Sequence, residues 1–165
     1  MKRPRHTHAL RSTPALLRGA LLGILLFALI GTSVELLLLG HTEGFWQWIP
    51  LALIAAAFVT LGAHAFLRRA ATLRAIQGTM ALFLIGGVAG LVLHYRGNME
   101  FELEMYPSIS GWPLFRESIT GATPALAPGM MIQMGLLGLA YTCRHPLLAG
   151  VADVESTRQT TETKT

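Results

Sequence analysis

Four long apolar runs alternate with short polar or basic stretches along this chain. The runs cover residues 16–39, 46–67, 75–95 and 124–142, and the last is the shortest. A helix needs about 20 apolar residues to cross the hydrocarbon core of a bilayer, so each run is near the length of a membrane-spanning helix. Short connections place consecutive helices antiparallel. The pattern therefore predicts an all-α integral membrane protein built as a four-transmembrane-helix up-down bundle.

A long connection, residues 96–123, separates the third run from the fourth. Within it, apolar and acidic residues alternate strictly over residues 99–105, which is typical of a half-buried extended segment. A helix is the alternative, because Glu100 and Glu104 would then lie on one face. Pro107 ends the segment in either case.

The second part of this connection has the pattern of a short amphipathic helix. Trp112, Phe115 and Ile119 are spaced along one helical face, and Ser110 is a candidate N-cap. Aromatic side chains favour the boundary between lipid and water. We therefore expect a short interfacial helix in the outer loop between the third and fourth spans, anchored by Trp112 and Phe115.

The composition fits a chain that lies in lipid. Hydrophobic residues make up 52% of the 165 residues and charged residues only 13%, against about 25% charged residues in soluble domains. Trp46 and Trp48 open the second run and are expected to anchor it at the membrane boundary. The lipid bilayer is the predicted partner. The net charge of +4 is attributed to membrane topology, and no nucleic acid is expected.

Positive charges are distributed unevenly along the chain. Of the thirteen Lys and Arg residues, five lie between the start of the chain and Arg18, three lie between the second and third runs, and three follow the fourth run. Only Arg96 and Arg116 lie in the other two loops. The positive-inside rule then predicts four passes through the plasma (inner) membrane, with the amino and carboxy termini cytoplasmic. The predicted parts are a basic cytoplasmic arm (1–15), a membrane domain (16–146) and a disordered cytoplasmic tail (147–165).

Glycines occur at helical spacing in three of the runs. Gly19 with Gly23 and Gly86 with Gly90 form GxxxG patterns, and Gly135 marks a smooth strip on the fourth run. Small residues let membrane helices approach each other closely. We expect these glycines to pack helices within the bundle, with dimerisation of the whole chain as the alternative.

Polar residues near the outer ends of the spans are the first candidate functional group. Glu35 lies inside the first run, where an ionisable side chain is costly and often functional. The predicted topology brings others to the same face, giving an outer-face cluster of Glu35, His41, Glu43, His94, Glu100, Glu104 and Gln133. Imidazoles and carboxylates bind zinc, copper or iron, so the candidate ligands of a transition metal are Glu35, His41, Glu43 and His94. This hypothesis rests on shared depth, because no metal-binding spacing such as HxxxH is present.

A second polar group is expected at the inner ends of the spans. Its members are Thr60, His64, Gln77 and Tyr141. Hydrogen bonds between helices are the favoured interpretation. A proton path that includes His64 is the alternative.

No motif in the sequence indicates an enzyme. The chain lacks a GxSxG nucleophile elbow, a phosphate-binding loop, a Rossmann glycine pattern and a metalloprotease helix. The sequence therefore favours a non-catalytic accessory or structural subunit that associates with other membrane subunits or with itself. The alternatives are an oligomeric cation or proton transport unit using Glu35, and a membrane metal-binding or redox protein using the outer-face cluster.

Overall fold

The computed structural model describes residues 6–121 and 127–148, with side chains from residue 13 onward. These ranges contain helices and turns but no strand. The helices are α1 (His6–Leu38), α2 (Phe45–Leu67), α3 (Ala70–Met105), α4 (Gly111–Thr120) and α5 (Gly129–Thr142). Three of them are long and apolar enough to cross a membrane, namely α1 from Thr13 onward, α2 and α3. The prediction of an all-helical chain with long apolar helices is confirmed.

The helix in the fourth predicted span, α5, is shorter than the other long helices. Helix α5 has 14 residues, or about 21 Å at ~1.5 Å per residue, whereas the hydrocarbon core is about 30 Å thick. Residues 122–126 lie outside the described residues, and they include the start of the predicted run. Helix α5 by itself is therefore shorter than a membrane crossing requires.

Helix α3 is much longer than the predicted third span. It has 36 residues and passes through Gly97 and Asn98 to end at Met105, ten residues beyond the predicted end at Tyr95. The extended prediction for residues 99–105 is wrong, and the helical alternative is correct. The reason is that Met, Glu and Leu are strong helix formers and that the described residues offer no strand partner.

Contacts between helix ends show that α1, α2, α3 and α5 alternate in direction. Nδ1 of His64, near the end of α2, lies 2.7 Å from the hydroxyl of Thr72, near the start of α3. Arg18 of α1 donates a hydrogen bond of 2.8 Å to the carbonyl oxygen of Arg144, just after α5. The His64 ring also lies beside Tyr141 in the last turn of α5.

Most charges of the described residues separate along the helix axes, and the exceptions are Arg96 and Arg116, which lie at the same end as the glutamates. The start of α1, the end of α2, the start of α3 and the end of α5 share one end of the molecule. We call it the basic end, and its arginines are Arg18, Arg68, Arg69, Arg74 and Arg144. We call the opposite end the acidic end, and its glutamates are Glu35, Glu43, Glu100, Glu102, Glu104 and Glu117.

Each long helix contributes a narrow apolar stripe to the core. On α1 the fully buried residues are Leu25 and Leu29, one turn apart, and on α3 Phe83 is fully buried. Other apolar side chains point outward, and Phe27 and Phe66 are more than four-fifths exposed. Faces this apolar suit lipid and would be unfavourable in water.

Helix α3 lies between α2 and α5 and approaches α5 closely through glycines of both helices. A Cβ atom built on Gly135 would lie 2.9 Å from the carbonyl oxygen of Met80 and 2.8 Å from Cδ2 of Leu84. A Cβ atom on Gly87 would lie 3.0 Å from the backbone nitrogen of Ile132. No larger residue fits at these positions unless the two backbones move apart.

The two predicted GxxxG pairs have different surroundings. Gly86 faces α2, whereas Gly90 faces the residues that begin α5. Nothing lies within 4 Å of a Cβ atom built on Gly19 or Gly23. Gly86 and Gly90 therefore pack helices within this chain, whereas Gly19 and Gly23 lie on an open face of α1.

Helix α4 packs against the part of α3 that continues beyond Tyr95. The side-chain amide of Asn98, which is 3% exposed, donates a hydrogen bond of 2.9 Å to the carbonyl oxygen of the buried Ser118. The ring centroids of Tyr95 and Phe115 are 6.0 Å apart. Ser110 occupies the N-cap position, but its side chain makes no capping hydrogen bond. A short helix is thus present where the pattern predicts one, and buried polar groups attach it to α3.

Candidate functional site

At the acidic end, the structure brings together two members of the predicted outer-face cluster, His41 and His94. His41 lies in the connection between α1 and α2, where its backbone N–H donates to the carbonyl oxygen of Leu36 at 2.9 Å. Burial, and secondarily the nearby His94, lowers the pKa of His41 below its ordinary value of 6.5. Nδ1 of His94 is buried and has no hydrogen-bond partner among the described residues.

The other members of this cluster are exposed. They are Glu35, Glu43, Glu100, Glu104 and Gln133. Within the part of the chain that the structure describes, no group of three or more His, Cys, Asp or Glu side chains is arranged to hold a metal ion. The four predicted ligands, Glu35, His41, Glu43 and His94, are therefore not assembled into a metal centre there.

Glu35 projects from the exposed face of α1, three residues before the helix ends at Leu38. Its side-chain carboxylate forms no ion pair or hydrogen bond with any residue that the structure describes. Phe27 and Gly31 lie two turns and one turn earlier on the same face, and both are exposed. Ionisable residues in membrane spans usually face the bundle interior, whereas Glu35 faces away from the core of this chain.

At the basic end, three rings lie close together, one from α2, one from α5 and one from the residues just after α5. The ring centroids of His64 and His145 are 5.7 Å apart, and Tyr141 lies 6.4 Å from each of them. His64 and Tyr141 belong to the predicted inner group. The other two members behave differently: Gln77 donates to Thr142 at 3.3 Å, whereas the Thr60 hydroxyl donates to carbonyl oxygens of its own helix.

Hydrogen bonds define the role of each ring nitrogen in the two histidines. Thr72 donates its hydroxyl hydrogen to the carbonyl oxygen of Arg69, so it accepts from Nδ1–H of His64. Nδ1 of His145 accepts from the backbone N–H of Leu147 at 3.3 Å. Neutral His64 therefore has its free lone pair on Nε2, whereas neutral His145 has its N–H group on Nε2.

Arg18 and His145 complete this group, although the sequence did not predict either as a site residue. Arg18 is half-buried and lies within electrostatic reach of Tyr141 and His145. In the sequence both residues lie at or beside the ends of apolar runs, where a basic residue is interpreted as a determinant of membrane topology. The predicted antiparallel order of the spans was the one signal that could have placed them beside His64.

The stability of the protein is expected to fall as the pH is lowered below about 6.5. Burial, and after it the charges of Arg18 and His64, lowers the pKa of His145 from its ordinary value of 6.5. A lowered pKa means that the unfolded chain takes up a proton at higher pH than the folded one. Neutral His145 therefore makes its full contribution to the free energy of unfolding above pH 6.5, and this contribution is lost as the pH falls toward the pKa of the folded state.

Melting temperatures of the detergent-solubilised protein between pH 5 and 8 measure this effect. Replacing His145 with glutamine is expected to make the melting temperature less dependent on pH below 6.5, and His41→Gln is expected to act in the same direction. An unchanged pH dependence in both variants would contradict the assignment.

Comparison with known proteins adds no relative. No protein-family model matches the chain, and no similar curated protein or solved structure is found. Function therefore has to be inferred from the geometry of the chain itself.

Proposed function

We propose that this chain is a four-pass protein of the plasma (inner) membrane, with both termini cytoplasmic, and a non-catalytic accessory or structural subunit of a membrane complex. The lack of enzyme motifs and of an assembled metal group in the described residues fits this role. The observation that supports it most directly is the outward, unpartnered Glu35 on α1.

The fourth crossing is supported by the path of α5 along α3. Thr142 contacts Gln77 at one end of α5, and Pro128 lies against Gly90 at the other. The segment of α3 between these contacts is about 20 Å long at ~1.5 Å per residue. Helix α5 therefore runs beside about two thirds of the ~30 Å thickness of a hydrocarbon core.

The proposed orientation rests on the charge difference between the two ends. The basic end collects arginines from four separate helix ends, and the acidic end collects glutamates. Lys and Arg beside spans stay cytoplasmic, whereas acidic residues have little influence on topology. The basic end is thus proposed to face the cytoplasm.

Helix α4 is proposed to lie at the outer membrane boundary. Trp112 and Phe115 are exposed, and their rings stack with centroids 5.3 Å apart. Phe115 also contacts Tyr95, where the predicted third span ends. Trp46 and Trp48 are exposed at the start of α2, on the same end of the molecule. Aromatic side chains at this level suit the interface between lipid and water.

Helix α1 is the proposed docking surface for a partner subunit. It has the smallest buried share of the three long apolar helices, and Glu35 lies on its open side. A charged side chain costs roughly 2.5–3.5 kcal/mol at the membrane centre and less toward the boundary. A partner helix with an Arg, a Lys or a hydrogen-bond donor at this depth offsets that cost, and the open glycines at 19, 23 and 31 allow its close approach.

The exposed position of Glu35 also suits the second candidate function, an oligomeric cation or proton transport unit. Because Glu35 faces away from the core of this chain, such a path would have to run between copies. Ion flux into liposomes that contain only this protein, lost in Glu35→Gln, would support transport over the accessory role.

Purification from membranes in a mild detergent tests the accessory role. Wild-type protein is expected to retain partner membrane proteins at a fixed ratio, and Glu35→Gln is expected to lose them. Truncating one member of a buried charged pair costs about 2–5 kcal/mol, which weakens binding at least ~30-fold. Glu43→Gln makes the same charge change on an exposed residue of the neighbouring connection and should retain the partners. Wild-type protein that purifies alone, or equal retention by Glu35→Gln, would overturn the proposal.

A further inference from the structure

The basic end contains a group of hydrogen-bond donors that the proposed accessory role does not use. Arg18 folds over the end of α5 and donates through Nη2 to the carbonyl oxygen of Arg144. A guanidinium group has five N–H donors, so one such bond leaves several available. Nε2–H of neutral His145 is a further donor, because Nδ1 already accepts from Leu147.

Tyr141 adds an independent observation. Its side chain is only 9% exposed, yet its hydroxyl makes no hydrogen bond to any described residue. The hydroxyl is also not among the polar atoms that are sealed from solvent. The hydroxyl therefore reaches the surface within electrostatic reach of Arg18, where it is available to donate to an external acceptor.

The charge at this end favours an anionic acceptor. Among the described residues, the single ion pair joins Arg116 and Glu117 at the acidic end, and no glutamate approaches the basic end. The carboxyl ends of α2 and α5 contribute partial negative charges, each equivalent to roughly half a charge. The full positive charge of Arg18 outweighs them, and it is reinforced by Arg144, whose carbonyl oxygen Arg18 contacts, and by Arg68, which lies within electrostatic reach of His64.

We propose that Arg18, Tyr141 and His145 bind the phosphate group of an anionic phospholipid at the basic end. The guanidinium supplies charge-assisted hydrogen bonds to the phosphate oxygens. The phenol and the imidazole Nε2–H donate to the same group, and His64, whose Nδ1 is held by Thr72, packs against both rings. Basic pockets between membrane helices bind lipid headgroups in this manner.

Native mass spectrometry on the full chain tests the site. The protein is released from nanodiscs that contain equal parts of phosphatidylcholine and phosphatidylglycerol, and the retained lipids are counted. Wild-type protein is expected to retain phosphatidylglycerol in preference to phosphatidylcholine. Arg18→Gln should weaken this retention about tenfold or more, and Tyr141→Phe about twofold to tenfold.

Arg69→Gln is the matched control, because it removes the same charge from an exposed side chain at the same end. It should leave the preference nearly unchanged. The Tyr141→Phe variant keeps the ring and the net charge, so it tests the site even if Arg18→Gln folds poorly. Equal losses in Arg18→Gln and Arg69→Gln, or full retention in Tyr141→Phe, would overturn the proposal.

Inorganic phosphate separates the two sources of a phosphate group. It is added to protein in pure phosphatidylcholine nanodiscs, and the melting temperature is measured. Stabilisation by free phosphate without any preference for phosphatidylglycerol would overturn the lipid assignment. A phosphatidylglycerol preference that persists in excess inorganic phosphate supports it.

Discussion

Replacing Gly135 with valine is expected to lower the free energy of unfolding by about 1–3 kcal/mol. The first atom added, Cβ, would already lie 2.9 Å from the carbonyl oxygen of Met80, and valine adds two methyl groups beyond it. A backbone oxygen cannot rotate away, so α3 and α5 must separate. The gain from replacing glycine inside a helix is at most ~1 kcal/mol, and it is smaller for valine than for alanine. The steric effect therefore dominates.

Unfolding of the purified protein in mixed detergent, followed by circular dichroism, measures this loss. Gly78→Val is the control, because Gly78 is an exposed glycine of α3 at which an added Cβ atom would have nothing within 4 Å. Its effect should stay within about 0.5 kcal/mol. Similar unfolding of the two variants would show that the α3–α5 glycines do not determine the packing.

Replacing Asn98 with leucine is expected to release α4 from α3. The substitution removes the hydrogen bond to the carbonyl oxygen of the fully buried Ser118 and leaves that oxygen without its donor from α3. An unsatisfied buried polar group costs about 1–3 kcal/mol. Local opening of α4 should therefore become about 5- to 150-fold more frequent.

Hydrogen–deuterium exchange of residues 111–120 measures this opening, while the amides of α3 serve as an internal reference. Thr120→Ala is a suitable control, because the Thr120 hydroxyl donates only to the carbonyl oxygen of Arg116 within α4. Faster exchange in α4 is expected for Asn98→Leu alone. If both variants exchange at the wild-type rate, the Asn98–Ser118 contact does not hold α4 in place.

The segment after Tyr95 shows why a sequence pattern was misleading. Alternation of apolar and acidic residues predicts a strand only if one face is buried, but Phe101, Leu103 and Met105 are all substantially exposed. The same residues favour a helix by intrinsic propensity, and Asn98 provides a contact for α4 once the helix continues. The alternation therefore carried no packing information.

The outer-face cluster shows a related limit. The apolar boundaries of the runs predict that His41 and His94 share one level, and the two side chains lie within electrostatic reach of each other. Depth does not specify which way a side chain points around the helix axis. Glu35 and Gln133 both lie on exposed faces of their helices, and no three His or Glu side chains of the predicted cluster are grouped to hold a metal ion among the described residues.

The sequence by itself determined the helical class, the three long apolar helices and the separation of basic from acidic residues along the chain. These properties follow from composition and run length, because a polar backbone in lipid has to satisfy its hydrogen bonds within a helix. The tertiary structure alone decided which faces meet, and with them the outward position of Glu35 and the grouping of Arg18, Tyr141 and His145. The physical reason is that lipid and protein core are equally apolar, so hydrophobicity does not distinguish a buried face from an exposed one. Close contacts between helices at glycines such as Gly87 and Gly135 determine which faces are buried, and these contacts join residues that are far apart in the sequence.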